Sequence, residues 1–100
     1  RMEAVMDKIK VGDLVRSFDF DGGRDLVGPH ACFVEGYVVD ITTSDVCPCY
    51  IIRVDREIWD GKLEFTRIDT EVSTPVNGTP TSSGRICDFV KLIELAKYAS

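Results

Sequence analysis

Cys49-Tyr50-Ile51-Ile52-Arg53-Val54-Asp55-Arg56-Glu57-Ile58-Trp59, then Asp60-Gly61, then Lys62-Leu63-Glu64-Phe65, is the stretch that decides the fold. Tyr50, Ile52, Val54 and Ile58 recur on one side while Arg53, Asp55 and Glu57 alternate with them, which is the period-two pattern of a strand with one buried face. Arg56 interrupts the apolar side. Asp60-Gly61 is the dipeptide of a two-residue hairpin turn, because Gly accepts the positive φ that the primed turns demand. The register this predicts places Ile58 opposite Leu63, Arg56 opposite Phe65 and Val54 opposite Arg67, with Arg56 and Arg67 on a shared face.

Upstream, Cys32 to Thr42 is apolar on both sides at its centre, with Phe33, Tyr37, Val39 and Ile41 set against Val34 and Val38, as a central strand requires. Gly36 within it marks a bulge or bend. Val11 to Phe20 forms an earlier run that stops at Asp21-Gly22-Gly23, a turn signal, and a loop through Gly28-Pro29 follows. Ser73 to Gly84 has almost nothing to bury and reads as a long flexible loop. In the last run, Arg85 to Tyr98, Ile86, Val90 and Leu92 alternate like a strand, whereas Phe89, Leu92, Ile93 and Ala96 fit one helical face. A strand over Ile86 to Leu92 with a helical tail is the expectation. Arg1 precedes the first Met, and Met6 opens the segment leading into Val11-Gly12-Asp13, so residues 1–10 read as an extension of one domain spanning residues 1–100.

Apolar residues make up 44% and charged residues 29% of the 100, a composition that folds rather than stays disordered. No window holds the roughly 18 consecutive apolar residues of a membrane-spanning helix, and residues 1–10 lack the apolar stretch of a secretory signal. A cytoplasm-like compartment is expected, and no membrane contact. The net charge of -5 opposes generic attraction to phosphate backbones.

Four segments in order, Lys10-Val11-Gly12-Asp13-Leu14-Val15, Gly36-Tyr37-Val38-Val39-Asp40-Ile41, Tyr50-Ile51-Ile52-Arg53-Val54 and Phe89-Val90-Lys91-Leu92-Ile93-Glu94, resemble the strands of small Src-homology-3-like and Sm-like barrels. They look most like those in short open reading frames of tailed phages and marine microbes, for which the host cytoplasm or the virion would be the location. The resemblance implies a fold class: mainly β, a small five-stranded barrel or strongly bent antiparallel sheet, with short terminal helices allowed for. It implies no chemistry, since barrels of this class bind nucleic acids or peptides, form rings or decorate virions. The Asn- and Gly-rich RNA-binding motifs of the Sm family have no counterpart in this sequence.

Candidate sites fall into four groups. His30, Cys32, Cys47 and Cys49 offer one nitrogen and three sulfurs, a zinc ligand set. Strand spacing opposes it: residues two apart in a strand are separated by about 6 to 7 Å, and Cys32 lies about 30 Å along the hairpin from Cys47 and Cys49. Reduced structural thiols are expected instead, with Cys87 in the core and no cofactor; a redox or metal-sensing role for Cys47-Pro48-Cys49 alone is the narrower option. Asp19, Asp21 and Asp25 lack the Gly and closing Glu of a calcium loop and read as solvated turn carboxylates. His30 has no neighbouring Ser, its proximity to Cys32 is too little for a Cys-His dyad, which requires a third orienting group and an oxyanion hole, and no glycine motif cradles phosphate, so no catalytic residue is expected. Arg53, Arg56, Lys62 and Arg67, with Trp59 and Phe65 for base stacking, form the best nucleic-acid candidate, but Asp55, Glu57, Glu64 and Asp69 among them point to cross-strand ion pairs.

The sequence thus leads to a non-enzymatic binding or structural module that self-associates through strand edges. A single-strand nucleic-acid binder on the Arg53, Arg56 and Arg67 face, and a small zinc protein, stand as the alternatives.

Overall fold

The computed structural model describes residues 9–18, 28–43, 47–80 and 83–94. The expectations for residues 1–8, for the Asp19 to Asp25 turn and for a helical tail beyond Glu94 lie outside them. Within them the chain is mainly β, with six antiparallel strands: β1 (Leu14–Ser17), β2 (Phe33–Ile41), β3 (Cys49–Trp59), β4 (Lys62–Glu64), β5 (Glu71–Pro75) and β6 (Val90–Glu94). The order across the sheet is β4-β3-β2-β1-β6, and β5 pairs with the other end of β3. No helix among the described residues is long and apolar enough to cross a membrane.

Turn chemistry sets the strand ends. Val11-Gly12 turns the chain into β1: Gly12 has φ 98° and the Asp13 amide donates to Lys10 O at 3.1 Å, the geometry of a type II turn. The fully buried Asp13 carboxylate accepts from the Lys10 amide at 2.8 Å. Asp60 and Gly61 both have positive φ, 54° and 78°, the primed turn expected of that dipeptide.

A bulge decides which side chains of β3 are buried. The register steps from Glu35↔Arg56 to Gly36↔Val54, so Asp55 is an extra residue on β3, and every side chain beyond it moves to the opposite face. Arg56 therefore turns out, Glu57 turns in beside Val34, and Ile58 joins Phe33 on the outer side. The single apolar face expected for Tyr50 through Ile58 is corrected accordingly. Gly36 permits this approach, since a Cβ there would overlap the Arg53 carbonyl oxygen and lie 2.8 Å from its carbonyl carbon.

Two apolar clusters result. Val15, Val38, Tyr50, Ile52 and Val90 form the main core with Ile9, and Val72, Val76, Phe89 and Leu92 pack against it. Ala31, Phe33 and Ile58 form a smaller one, where the Arg16 guanidinium stacks 4.4 Å from the Phe33 ring centre. Burial raises the Tyr50 phenol above its ordinary 10.0, partly opposed by a hydrogen bond with the Asn77 backbone. The fold therefore favours neutral Tyr50. Its contribution is intact below pH 10.0, and stability measured by urea titration is expected to fall as the pH rises past that value; Tyr50→Phe removes this limb.

The five-stranded closed barrel is not what forms. A sixth strand, β5, occupies the start of the segment read as a loop from Ser73, and the last strand is Val90–Glu94 rather than Ile86 to Leu92. The sheet stays unclosed between β5 and β6. After Pro75, which has no N–H to offer, the chain turns on itself, with Thr79 N donating to Val76 O at 3.0 Å. The Asn77 side chain reaches across this gap: its Nδ2 donates to Val90 O at 2.8 Å and its Oδ1 accepts from Val90 N at 3.3 Å. Gly78 N to Cys87 O and Cys87 N to Thr79 O, both 2.9 Å, continue the bridge.

Candidate functional site

The hairpin keeps the predicted register only next to its turn. Trp59↔Lys62, Ile58↔Leu63 and Glu57↔Glu64 pair, and β4 then ends, so Phe65 and Arg67 do not come opposite Arg56 and Val54. Val54 instead bonds to Thr70 O and receives the Asp69 amide, each at 2.9 Å. Arg56 and Arg67 consequently lie on opposite faces of β3.

Each of these arginines meets a carboxylate. Glu35 accepts from Arg16 Nε at 2.7 Å and from Arg56 at 3.4 Å; Arg53 lies 3.7 Å from Glu71 and donates to Asp69 O at 3.1 Å. Arg67 holds Glu57 through its backbone amide at 2.8 Å and its guanidinium at 2.6 Å. Glu57 is the residue that sequence reading placed wrongly: its side chain is only 3% exposed. Its signal was the break at Arg56, which, taken with Gly36, marks the bulge. With Trp59, Glu64 and Thr66 this pair lines an open cleft of about 260 Å³. The arrangement neutralises the positive side chains locally rather than presenting them as one phosphate-binding face.

The four zinc candidates separate into two sites. At the Asp60-Gly61 end, His30 Nδ1 is 2.8 Å from the Asp60 carboxylate, and the buried Cys32 thiol receives the Asp60 amide at 3.3 Å and faces His30 O at 3.6 Å. Cys47 and Cys49 lie at the other end of β3, beyond Ile41↔Tyr50. Their sulfurs are 3.9 Å apart, closer than strand spacing alone predicts, because Cys47 precedes the strand and the two side chains converge. No group of three or more His, Cys, Asp or Glu among the described residues could hold a metal.

The remaining feature is the edge formed by β4. Leu63 is 54% and Phe65 71% exposed, and Trp59, 39% exposed, lies on the opposite face of the hairpin from Leu63. In a two-residue hairpin the residues flanking the turn exchange hydrogen bonds, so Trp59↔Lys62 is the bonded pair and the N–H and C=O of Leu63 point away from β3. The Leu63 side chain lies on the Ile58 side, next to the Ala31, Phe33 and Ile58 cluster. No family model, curated protein or solved structure matches the chain.

Proposed function

We propose that this protein is a non-enzymatic structural or binding module that pairs with a second copy of itself through β4. One observation carries this: Lys62-Leu63-Glu64 is self-complementary when antiparallel. With Leu63 on the two-fold axis, Lys62 of each copy faces Glu64 of the other, and the outward N–H and C=O of Leu63 meet their equivalents. The two Leu63 side chains then cover each other beside the smaller apolar cluster. An exposed edge with apolar side chains is a surface that seeks a strand, and this one matches its own copy in charge. The resemblance to small barrels, which assemble through strand edges, agrees with this reading. The alternative of a nucleic-acid face draws less support, because Arg53, Arg56 and Arg67 are held by carboxylates on two faces.

Light scattering over a dilution series at two salt concentrations tests it. A dimer is expected at high protein concentration. Lys62→Glu turns both cross-strand attractions into repulsions, at about 0.2 to 1 kcal/mol for each attraction lost and a similar amount for each repulsion gained, so the dissociation constant should rise at least about fourfold. Adding Glu64→Lys to that variant restores opposite charges and the dimer. A monomer at every concentration, or a dimer indifferent to Lys62→Glu, overturns the proposal.

A further inference from the structure

At the opposite end of β3 from the β4 hairpin, Cys47 is exposed and Cys49 half-buried, whereas Cys32 and Cys87 are buried. The backbone carrying the outer pair is fixed at several points. The Cys49 amide donates to Thr42 Oγ1 at 2.8 Å; Cys49 O accepts from Thr42 N at 2.9 Å and Pro48 O from Val76 N at 2.9 Å. Pro48 removes a further rotation between the two thiols. Their sulfurs are therefore presented 3.9 Å apart on a braced platform.

That separation matches a known bite. Two thiolates bound to one tetrahedral zinc ion, each at about 2.3 Å, stand about 3.8 Å from each other. We propose that Cys47 and Cys49 form a bidentate dithiolate site for a thiophilic d10 cation of the zinc and cadmium class. Binding breaks two S–H bonds and forms two metal–sulfur bonds, releasing two protons to solvent with no change of oxidation state. Among the described residues no third His, Cys, Asp or Glu joins the two thiols, so water or small solution ligands would complete the coordination, as in an exchangeable site rather than a closed structural one. It differs from the four-ligand centre drawn from the sequence, because His30 and Cys32 lie at the far end of the hairpin and take no part.

The test is a titration of reduced, chelator-free protein with Cd2+, read by the ultraviolet charge-transfer absorption of thiolate–cadmium bonds. One Cd2+ per chain is expected, with two protons released and an affinity falling by up to about a hundredfold per pH unit while both thiols are protonated. Cys47→Ser, at an exposed position ahead of the strand, should abolish the band with the circular dichroism spectrum unchanged, and Cys49→Ser should do the same. Cys32→Ser should leave the band intact. Absence of the band in the unaltered protein, or its persistence when both Cys47 and Cys49 are Ser, overturns the proposal.

Discussion

Gly36→Ala is expected to cost about 3 kcal/mol or more. The new Cβ would overlap the backbone oxygen of Arg53, and a backbone atom cannot swing aside as a side-chain end can. Relief would require β2 and β3 to separate at their bulge, where the two longest strands meet. Overpacking costs typically run to about 3 kcal/mol and occasionally more, a large share of the roughly 5 to 15 kcal/mol that holds a domain together. A chain of this size should lose roughly 12 °C or more in melting temperature. Gly78→Ala provides the contrast: Gly78 has φ 94° and nothing within 4 Å of a built Cβ, so only the backbone term of about 1 to 2 kcal/mol applies. Urea unfolding of both variants measures the difference, and equal midpoints would mean that β2 and β3 do not approach so closely.

Arg67→Met is expected to destabilise by about 2 kcal/mol while leaving the fold intact. It keeps the backbone amide bonded to Glu57 but removes the guanidinium at 2.6 Å, leaving a carboxylate with a 3% exposed side chain short of its counter-charge. Breaking a buried pair costs about 3 to 5 kcal/mol; the lower figure follows from the 40% exposure of Arg67, which lets water reach the vacated site. Glu57→Leu together with Arg67→Met removes both charges but also the acceptor of the residue-67 amide, so it should recover only part of that loss. A double-mutant cycle by urea denaturation reads the coupling, and additive losses would show that the two side chains act independently.

The arginine face shows how far local pattern carries a functional reading. Arg53, Arg56 and Arg67 appear as neighbours when the hairpin is extended on paper in perfect alternation. One extra residue, Asp55, and the end of β4 after Glu64 place Arg56 and Arg67 on opposite sides of the sheet. The interleaved acids Asp55, Glu57, Glu64 and Asp69 pointed to ion pairing, but of these only Glu57 pairs with an arginine on this stretch, whereas Arg53 meets Glu71 and Arg56 meets Glu35. Gly36 did mark the bulge, and its consequence for Glu57 became visible only once both strands were aligned. β5 left almost no trace, because Glu71-Val72-Ser73-Thr74-Pro75 contains a single β-branched apolar residue. Its inward Thr74 is accommodated by a buried hydroxyl pair with Ser17 at 2.9 Å, a partner 57 residues away.

The sequence by itself determined the strand chemistry of this protein: the bounds of β3, the primed turn at Asp60-Gly61, the bend at Gly36 and the position of β2 inside the sheet, although Tyr37 and Val39 are 48% and 41% exposed, so the centre of β2 is covered on its Val38 side and not on both faces as its pattern predicts. These depend on near neighbours, on alternation over a few residues and on the φ values that Gly permits. Tertiary structure alone decided that the sheet stays open, bridged by the Asn77 carboxamide, that a polar segment becomes β5, that Glu57 is buried with Arg67, and that the Cys47 and Cys49 sulfurs converge. The first three depend on partners distant in the chain, whose positions no local period encodes, and the last on where β3 begins.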